Sequence, residues 1–233
     1  RDQETGRVVK KCLYVVLGVD TEGRLDVLSL EIDNTEGAKF WLQVLEKLKQ
    51  RGVEDIFIAC ADGLKGFGEA LGAVFPQADL QLCVVHQIRN ATKFIPHKHK
   101  KAFCADMRKI YNAIDLDAAE IALDQLEEKW GKQYPAAISS WRKNWHALTT
   151  FFDYPAELRK MIYTTNRIEN LNSRIKKNIK NRRQFNNDNS LLKIVFLNVR
   201  NISNKWNPVA NWSTIFNQLS LIFKERLIMN NAY

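Results

Sequence analysis

Ile56-Phe57-Ile58-Ala59-Cys60-Ala61-Asp62-Gly63, Gly66 to Phe75 and Leu80-Gln81-Leu82-Cys83-Val84-Val85-His86 follow one another in the middle of the first half of the chain and set its topology. The first run is short and continuously apolar, the pattern of a strand buried on both faces, and it stops at an Asp-Gly turn. Residues 66 to 75 space their apolar side chains as a helix does and end before Pro76. The third run is again aliphatic and reads as a strand reaching His86. Strand, helix and strand in such close succession predict a βαβ unit with parallel strands and a right-handed crossover. Asp62 and His86 then both stand at carboxyl ends of parallel strands, on the edge where open α/β sheets gather their ligands.

Upstream, Val8 to Val19 is rich in β-branched and aromatic residues, turns at Thr21-Glu22-Gly23, and resumes in Leu25 to Ile32, which predicts a β-hairpin. Residues 37 to 51 place Trp41, Val44, Leu45 and Leu48 at helical spacing, with Gly52 just beyond. Downstream the strand patterns cease from about 97 to 155. Leu116, Ala119, Leu123, Leu126 and Trp130 mark one amphipathic helix there, and Ile138, Trp141, Trp145, Leu148 and Phe152 another. Such stripes are what helix packing alone requires, so no chemistry is assigned to them. After Pro155, Ile168, Leu171, Ile175 and Ile179 form an apolar stripe, while Glu169, Asn172, Ser173, Lys176 and Lys180 share the opposite face. A last helix near Leu191 to Asn201 precedes Trp206-Asn207-Pro208 and a short tail.

Over 233 residues, 35 Lys and Arg against 26 Asp and Glu give a net charge of +9, and all of the excess is carboxy-terminal. Residues 156 to 233 hold 14 basic residues and 4 acidic ones, with Arg174, Lys176, Lys177, Lys180, Arg182 and Arg183 as the peak. Solvated helix faces usually interleave both signs, whereas Glu169 is the only acid between Glu157 and Asp188, so a polyanion such as nucleic acid is the expected partner. At 45% hydrophobic and 26% charged, the composition is that of a globular protein with a real core. No run approaches the roughly 18 to 20 apolar residues of a membrane span, and Arg1-Asp2-Gln3-Glu4 has no signal-peptide shape, so a soluble intracellular protein is expected. Cys12, Cys60 and Cys83 lie in apolar strand-like runs as small hydrophobes. With Cys104, they fit a reducing compartment rather than a disulfide framework.

Two carboxylates could carry chemistry. Asp62, at the mouth of a buried strand and before Gly63, is placed to hold a hard cation, although Asp-Gly is also ordinary turn chemistry. Glu169 fits a helix capping box with Asn166, yet an acid on a cationic face repels bound phosphate unless a divalent ion lies between them. Cys83 and His86 stand at C-x-x-H spacing. Zinc needs three or four ligands and no second pair occurs at a matching interval, so His86 reads as a hydrogen-bonding or proton-handling group and Cys83 as buried. Gly63 to Gly68 lacks the Lys-Ser/Thr ending of a phosphate loop.

Three motifs coincide: Asp62-Gly63-Leu64-Lys65-Gly66-Phe67, Gln81 to Asn90 around Cys83 and His86, and Tyr163 to Asn172 around Glu169. Together with Gly37-Ala38-Lys39-Phe40-Trp41, Glu128 to Lys132 and Trp141 to Trp145, they closely resemble the bacterial insertion-sequence transposases of the Mutator superfamily, in order and over nearly the whole chain. The resemblance implies an α/β, ribonuclease-H-like mixed sheet interrupted by an all-α insertion. The first part of the core would span 1–96, the insertion 97–155, and the catalytic-Glu helix with the basic segment and C-terminal helices 156–233. It implies DDE-type, metal-dependent strand cleavage and strand transfer with Mg2+ or Mn2+. Asp62 and Glu169 would be the second and third metal-binding acids, and Cys83 and His86 the C-x-x-H signature. Transposon-end and target DNA are the implied partners, held by the Arg174 to Arg183 segment. A cytoplasmic setting and a homo-oligomer of the full-length protein follow from the same likeness.

The family's first catalytic Asp belongs just upstream of the segment that Arg1 to Tyr14 resembles, and neither Asp2 nor Asp20 is placed to substitute for it. The expectation is therefore a fragment or decayed copy, one metal ligand short and inactive alone. A non-catalytic DNA-binding remnant and a ribonuclease-H-like nuclease are the alternatives.

Overall fold

The computed structural model describes residues 9, 11–34, 36–93, 95–163, 166–180 and 184–230. In chain order its elements are β1 (Cys12–Val19), β2 (Leu25–Asp33), α1 (Ala38–Gln50), β3 (Ile58–Ala61), α2 (Phe67–Val74), β4 (Asp79–Leu82), α3 (Val84–Thr92), α4 (His97–Tyr111), α5 (Leu116–Trp130) and α6 (Pro135–Thr149). A short 3-10 turn (Thr150–Asp153), α7 (Ala156–Ile162), α8 (Asn166–Ile179), α9 (Asp188–Ser203), α10 (Trp212–Ile222) and α11 (Lys224–Asn230) complete it. The class is mixed α/β. Two compact units share the chain, the first made of residues 1–55, 65–76 and 166–233 and the second of 56–64 and 77–165.

In the first unit β1 and β2 pair antiparallel from Cys12↔Asp33 to Val19↔Leu25, with a bulge opposite Val16 and Leu17. The turn is fixed by Asp20, whose carboxylate accepts the backbone N–H groups of Glu22 and Arg24 at 2.9 and 2.8 Å. Side chains alternate across a strand, so β1 offers two faces, and both are covered. Leu13, Val15 and Leu17 pack with Val27 and Leu30 against a core of Leu171, Ile175, Val195, Val199 and Ile202 from α8 and α9. Tyr14, on the other face, meets Phe40 and Trp41 of α1 with ring centroids 4.6 and 5.5 Å apart. This double cover is why β1 is apolar throughout. Each fully buried aliphatic side chain in such a core contributes roughly 1.5–3 kcal/mol.

Helix α1 buries Trp41, Val44, Leu45 and Leu48, as its spacing predicts, and packs on α2, where Trp41 meets Phe67 edge-on at 5.2 Å. The close approach depends on Gly66, at φ +75°, because a Cβ there would lie 2.2 Å from the Ala38 nitrogen. The carboxy-terminal tail is longer in structure than the sequence reading allows: α10 and α11 follow the Trp206-Asn207-Pro208 break. They are tied down by Trp212, whose indole N–H donates to the Thr21 carbonyl at 2.9 Å, and by Arg226, which pairs with Asp55 at 2.6 Å.

In the second unit β3 and β4 pair in parallel, with Ile58↔Asp79 and Ala61↔Leu82 in register. The strand expected to run to His86 stops at Leu82: Cys83 is extended at the N-cap and α3 starts at Val84. Val84 and Val85 favour strand, but Val84 is only 1% exposed, and its packing overrides that preference. The block from 97 onward is helical as predicted, and Ala119, Leu123, Leu126, Ile138, Trp141 and Leu148 are buried. Two residues of the predicted stripes are not: Leu116, at the first residue of α5, is exposed, and Trp145 is only half-buried. No helix among the described residues is long and apolar enough to cross a membrane.

Candidate functional site

The parallel ladder positions the first group of residues. The Cys83 N–H donates to the Ala61 carbonyl at 2.8 Å, one step beyond the last paired residues, which sets Cys83 beside Asp62 at the carboxyl edge of both strands. Three residues later, at nearly one helical turn, His86 returns to the same point. Its Nδ1 lies 3.1 Å from Asp62 Oδ1 and 3.3 Å from Cys83 Sγ. The Asp62 and His86 side chains are 32% and 25% exposed, whereas Cys83 is buried at 2%. The expected meeting of Asp62 and His86 at one sheet edge therefore occurs, although a helix and not a strand end delivers His86. One ligand atom from each of Asp62, Cys83 and His86 lies within 4.8 Å of the others. Cys60 is close by but chemically quiet, since burial and the neighbouring Cys83 push its thiol up to about 12.

The second group lies on α8, in the first unit. Leu171 and Ile175 are buried and Ile168 and Ile179 half-buried, so the apolar stripe faces the core as its spacing predicts. At about 100° per residue, Glu169 falls about 20° from Lys176 in projection, away from that stripe, and Lys180 follows one position past the helix end. Arg174, Lys176, Lys177 and Lys180 are all exposed. Arg182 and Arg183 lie outside the described residues, as does residue 165, which precedes the helix. Asn166 is the first helical residue and Glu169 stands in the first turn, half-buried, so Asn166 is not the N-cap that a capping box with Glu169 requires. Asn166, Glu169, Asn170, Ser173 and Arg174 line an open hollow of about 540 Å3. A carboxylate in the first turn of a helix interacts favourably with the helix dipole, so the position of Glu169 suits a negative charge.

Two polar residues that support the site escaped the sequence reading. Gln81, wholly buried in β4, donates to the Leu82 and Leu148 carbonyls at 2.6 and 3.0 Å and accepts the Phe151 N–H at 2.7 Å. Gln87, one residue after His86, donates to Ser140 Oγ at 2.8 Å and accepts from Asn144 at 3.3 Å. These bonds fasten the strand and helix that carry Cys83 and His86 to α6. A lone Gln inside an apolar run is the only signal the sequence offers for them.

A family model described as "Transposase, Mutator family" matches residues 1–209. The chain is 42% identical over 226 residues to a protein of Rhizobium meliloti (strain 1021) named transposase for insertion sequence element ISRM3, a match covering 96% of this chain and 56% of that protein. It is 33% identical over 193 residues to the transposase for insertion sequence element ISRM5 of the same organism, covering 83% and 48%. To the transposase for insertion sequence element IS905 of Lactococcus lactis subsp. lactis (strain IL1403) the identity is 31% over 186 residues, covering 80% and 47%. The chain thus spans about half the length of the curated relatives it matches.

Proposed function

The chain belongs to the Mutator family of transposases, and from that premise we propose that it carries metal-binding carboxylates and the phosphate-holding face of a DDE-type transposase acting on insertion-sequence DNA. A ribonuclease-H-like core is the matching architecture. The hairpin, helix α1 and the parallel β3–β4 pair are elements that such a core would use, although among the described residues the two strand pairs form separate two-stranded sheets and not one mixed sheet; the helices from 97 to 155 would be the insertion between the two acids.

Asp62 and Glu169 are the residues that would hold Mg2+ or Mn2+. Hard divalent ions take oxygen ligands, and both side chains offer carboxylate oxygens at half-buried positions. Bound there, such an ion supplies Lewis-acid stabilisation of the attacking and leaving oxygens of a phosphodiester. His86 keeps the Asp62 carboxylate oriented through Nδ1 and is the proton-handling group nearest to it. Arg174, Lys176, Lys177 and Lys180, with Arg182 and Arg183 following in sequence, grip phosphates and so fix the position of a duplex without reading its bases.

The observation that carries the reading is the placement of Asp62, a carboxylate at the carboxyl edge of a parallel strand pair and in contact with a histidine, in a chain of this family. The test is DNA affinity with and without divalent metal. In chelator, Glu169 repels the phosphates that its neighbouring lysines attract, so Glu169→Gln binds duplex more tightly than the parent. Added Mg2+ removes that difference by tightening the parent alone. An affinity indifferent both to Mg2+ and to Glu169→Gln overturns the proposal in favour of a non-catalytic DNA-binding module.

A further inference from the structure

We propose that Asp62, Cys83 and His86 form a binding site for a zinc-class, thiophilic divalent ion, distinct in chemistry from the oxygen-ligated Mg2+ or Mn2+ of the proposed strand-transfer reaction. The donor set is one carboxylate oxygen, one sulfur and one imidazole nitrogen. Magnesium and calcium prefer oxygen alone, whereas zinc, cobalt and cadmium take S, N and O together. Three protein ligands with a fourth position left to solvent is the common arrangement of open zinc sites.

Two of the three ligand-pair distances are close to those of such a site. With zinc bonds of about 2.0 Å to nitrogen or oxygen and about 2.3 Å to sulfur, tetrahedral angles put ligand atoms about 3.3 Å apart for N and O and about 3.5 Å for N and S. Here Nδ1 lies 3.1 Å from Asp62 Oδ1 and 3.3 Å from Cys83 Sγ, and the third pair is within 4.8 Å. Shifts of a few tenths of an ångström open the two Nδ1 pairs to these values. The exposed sides of Asp62 and His86 give the ion a path from water, and the buried Cys83 anchors its inner side. All three residues ride on elements fixed by backbone bonding, Cys83 by its N–H to Ala61 and His86 by the first turn of α3. Sequence spacing hides the site: C-x-x-H supplies two ligands, and the third arrives from the neighbouring strand, 21 positions upstream of Cys83.

The inference stands apart from the proposed function, because it is read from metal spectra and not from DNA. Titration of the 233-residue chain with Co2+ is expected to give a near-ultraviolet thiolate-to-cobalt band and the strong visible bands of a tetrahedral ion. Zn2+ displaces them and a large excess of Mg2+ does not. Cys83→Ser and His86→Gln each lose the near-ultraviolet band, while Cys104→Ser keeps it. A wild-type chain without that band, or a Cys83→Ser chain that retains it, overturns the proposal. Should loss of the buried sulfur unfold the chain by circular dichroism, X-ray absorption at the zinc edge of the wild-type protein decides. One sulfur beside nitrogen and oxygen neighbours supports the site, and a shell of nitrogen and oxygen alone overturns it.

Discussion

Replacing Lys176 and Lys180 together by Gln removes one charge near Glu169 on the outer face of α8 and one just past the helix end, and leaves the fold intact. Both side chains are exposed, and Gln is about as good a helix former as Lys. Each phosphate neutralised by a Lys or Arg contributes about −0.9 to the slope of log affinity against log salt, so six contacts from Arg174, Lys176, Lys177, Lys180, Arg182 and Arg183 give about −5.4. Raising salt from about 50 to about 200 mM should then weaken duplex binding about 1,800-fold for the parent and only about 150-fold for the double variant, whose slope falls to about −3.6. Fluorescence anisotropy over a salt series, on two duplexes of unrelated sequence, measures both slopes. Phosphate contacts carry no sequence information, so the reduction is expected to be equal on the two duplexes. An unchanged slope would refute the assignment of this face to the DNA backbone. A loss confined to one duplex would show that these lysines read bases instead.

Two further substitutions test how the units are held. Asp106, 13% exposed, accepts from Lys129 at 2.7 Å, Trp130 Nε1 at 2.9 Å and Lys109 at 3.1 Å. Burial alone would push its carboxyl up, but these donors outweigh burial and hold it down at about 2. A carboxylate depressed in the folded state stabilises above its unfolded value of about 3.9 and loses that contribution as pH falls through its folded value. The effect is about 1–2 kcal/mol once solvent screening of the exposed lysines is allowed for. Asp106→Asn should therefore lower the urea midpoint at neutral pH, and the gap from the parent should close as the pH is taken toward about 2; a gap constant with pH would exclude the ionic origin. Gly66→Ala combines a left-handed backbone with a Cβ 2.2 Å from the Ala38 nitrogen, whereas Gly63→Ala meets the same φ of +75° with nothing within 4 Å. The first is expected to cost about 2–4 kcal/mol and the second about 1–2, so equal denaturation midpoints would contradict the packing of α1 on α2.

What the residue pattern revealed and what it concealed follow from the range of the forces involved. The hairpin was legible from β-branched and aromatic runs on either side of a turn, and α1 because its period of 3.6 records which face is buried, as burial of Trp41, Leu45 and Leu48 repeats. The end of β4 was not, because Val84 and Val85 have strand preferences and only the packing of Val84 decides for a helix. Helices α10 and α11 also went unread in the residue pattern, although the family likeness implied C-terminal helices without placing them. Their anchors, Trp212 on the Thr21 carbonyl and Arg226 on Asp55, lie 191 and 171 positions away in sequence. The same holds for Gln81, whose value lies in the Leu148 carbonyl of α6 and the Phe151 N–H, which no local window contains. In the candidate site, pairing at the sheet edge foretold the contact of Asp62 with His86, since parallel strands bring their carboxyl ends together whatever follows them. Cys83 seemed a mere hydrophobe because its partner, Asp62, comes from the next strand.

That partnership places Asp62 between two chemistries. A carboxylate prefers a hard ion when its neighbours are oxygens and a softer one when they are sulfur and imidazole, and Asp62 lies in one group with the Cys83 sulfur and the His86 imidazole. Occupation by zinc would take a carboxylate oxygen from the hard-ion role and fix the His86 Nδ1 lone pair, so that neither orientation nor proton handling by His86 would be available at the same time. Zinc and magnesium are then competitors at one residue even though they favour different companions. The competition has a direction that can be measured: zinc should abolish the Mg2+-dependent gain in DNA affinity in the parent and should fail to do so in Cys83→Ser, where the sulfur is gone but both carboxylates remain. Equal sensitivity to zinc in the two proteins would separate the sites and leave Asp62 to magnesium alone.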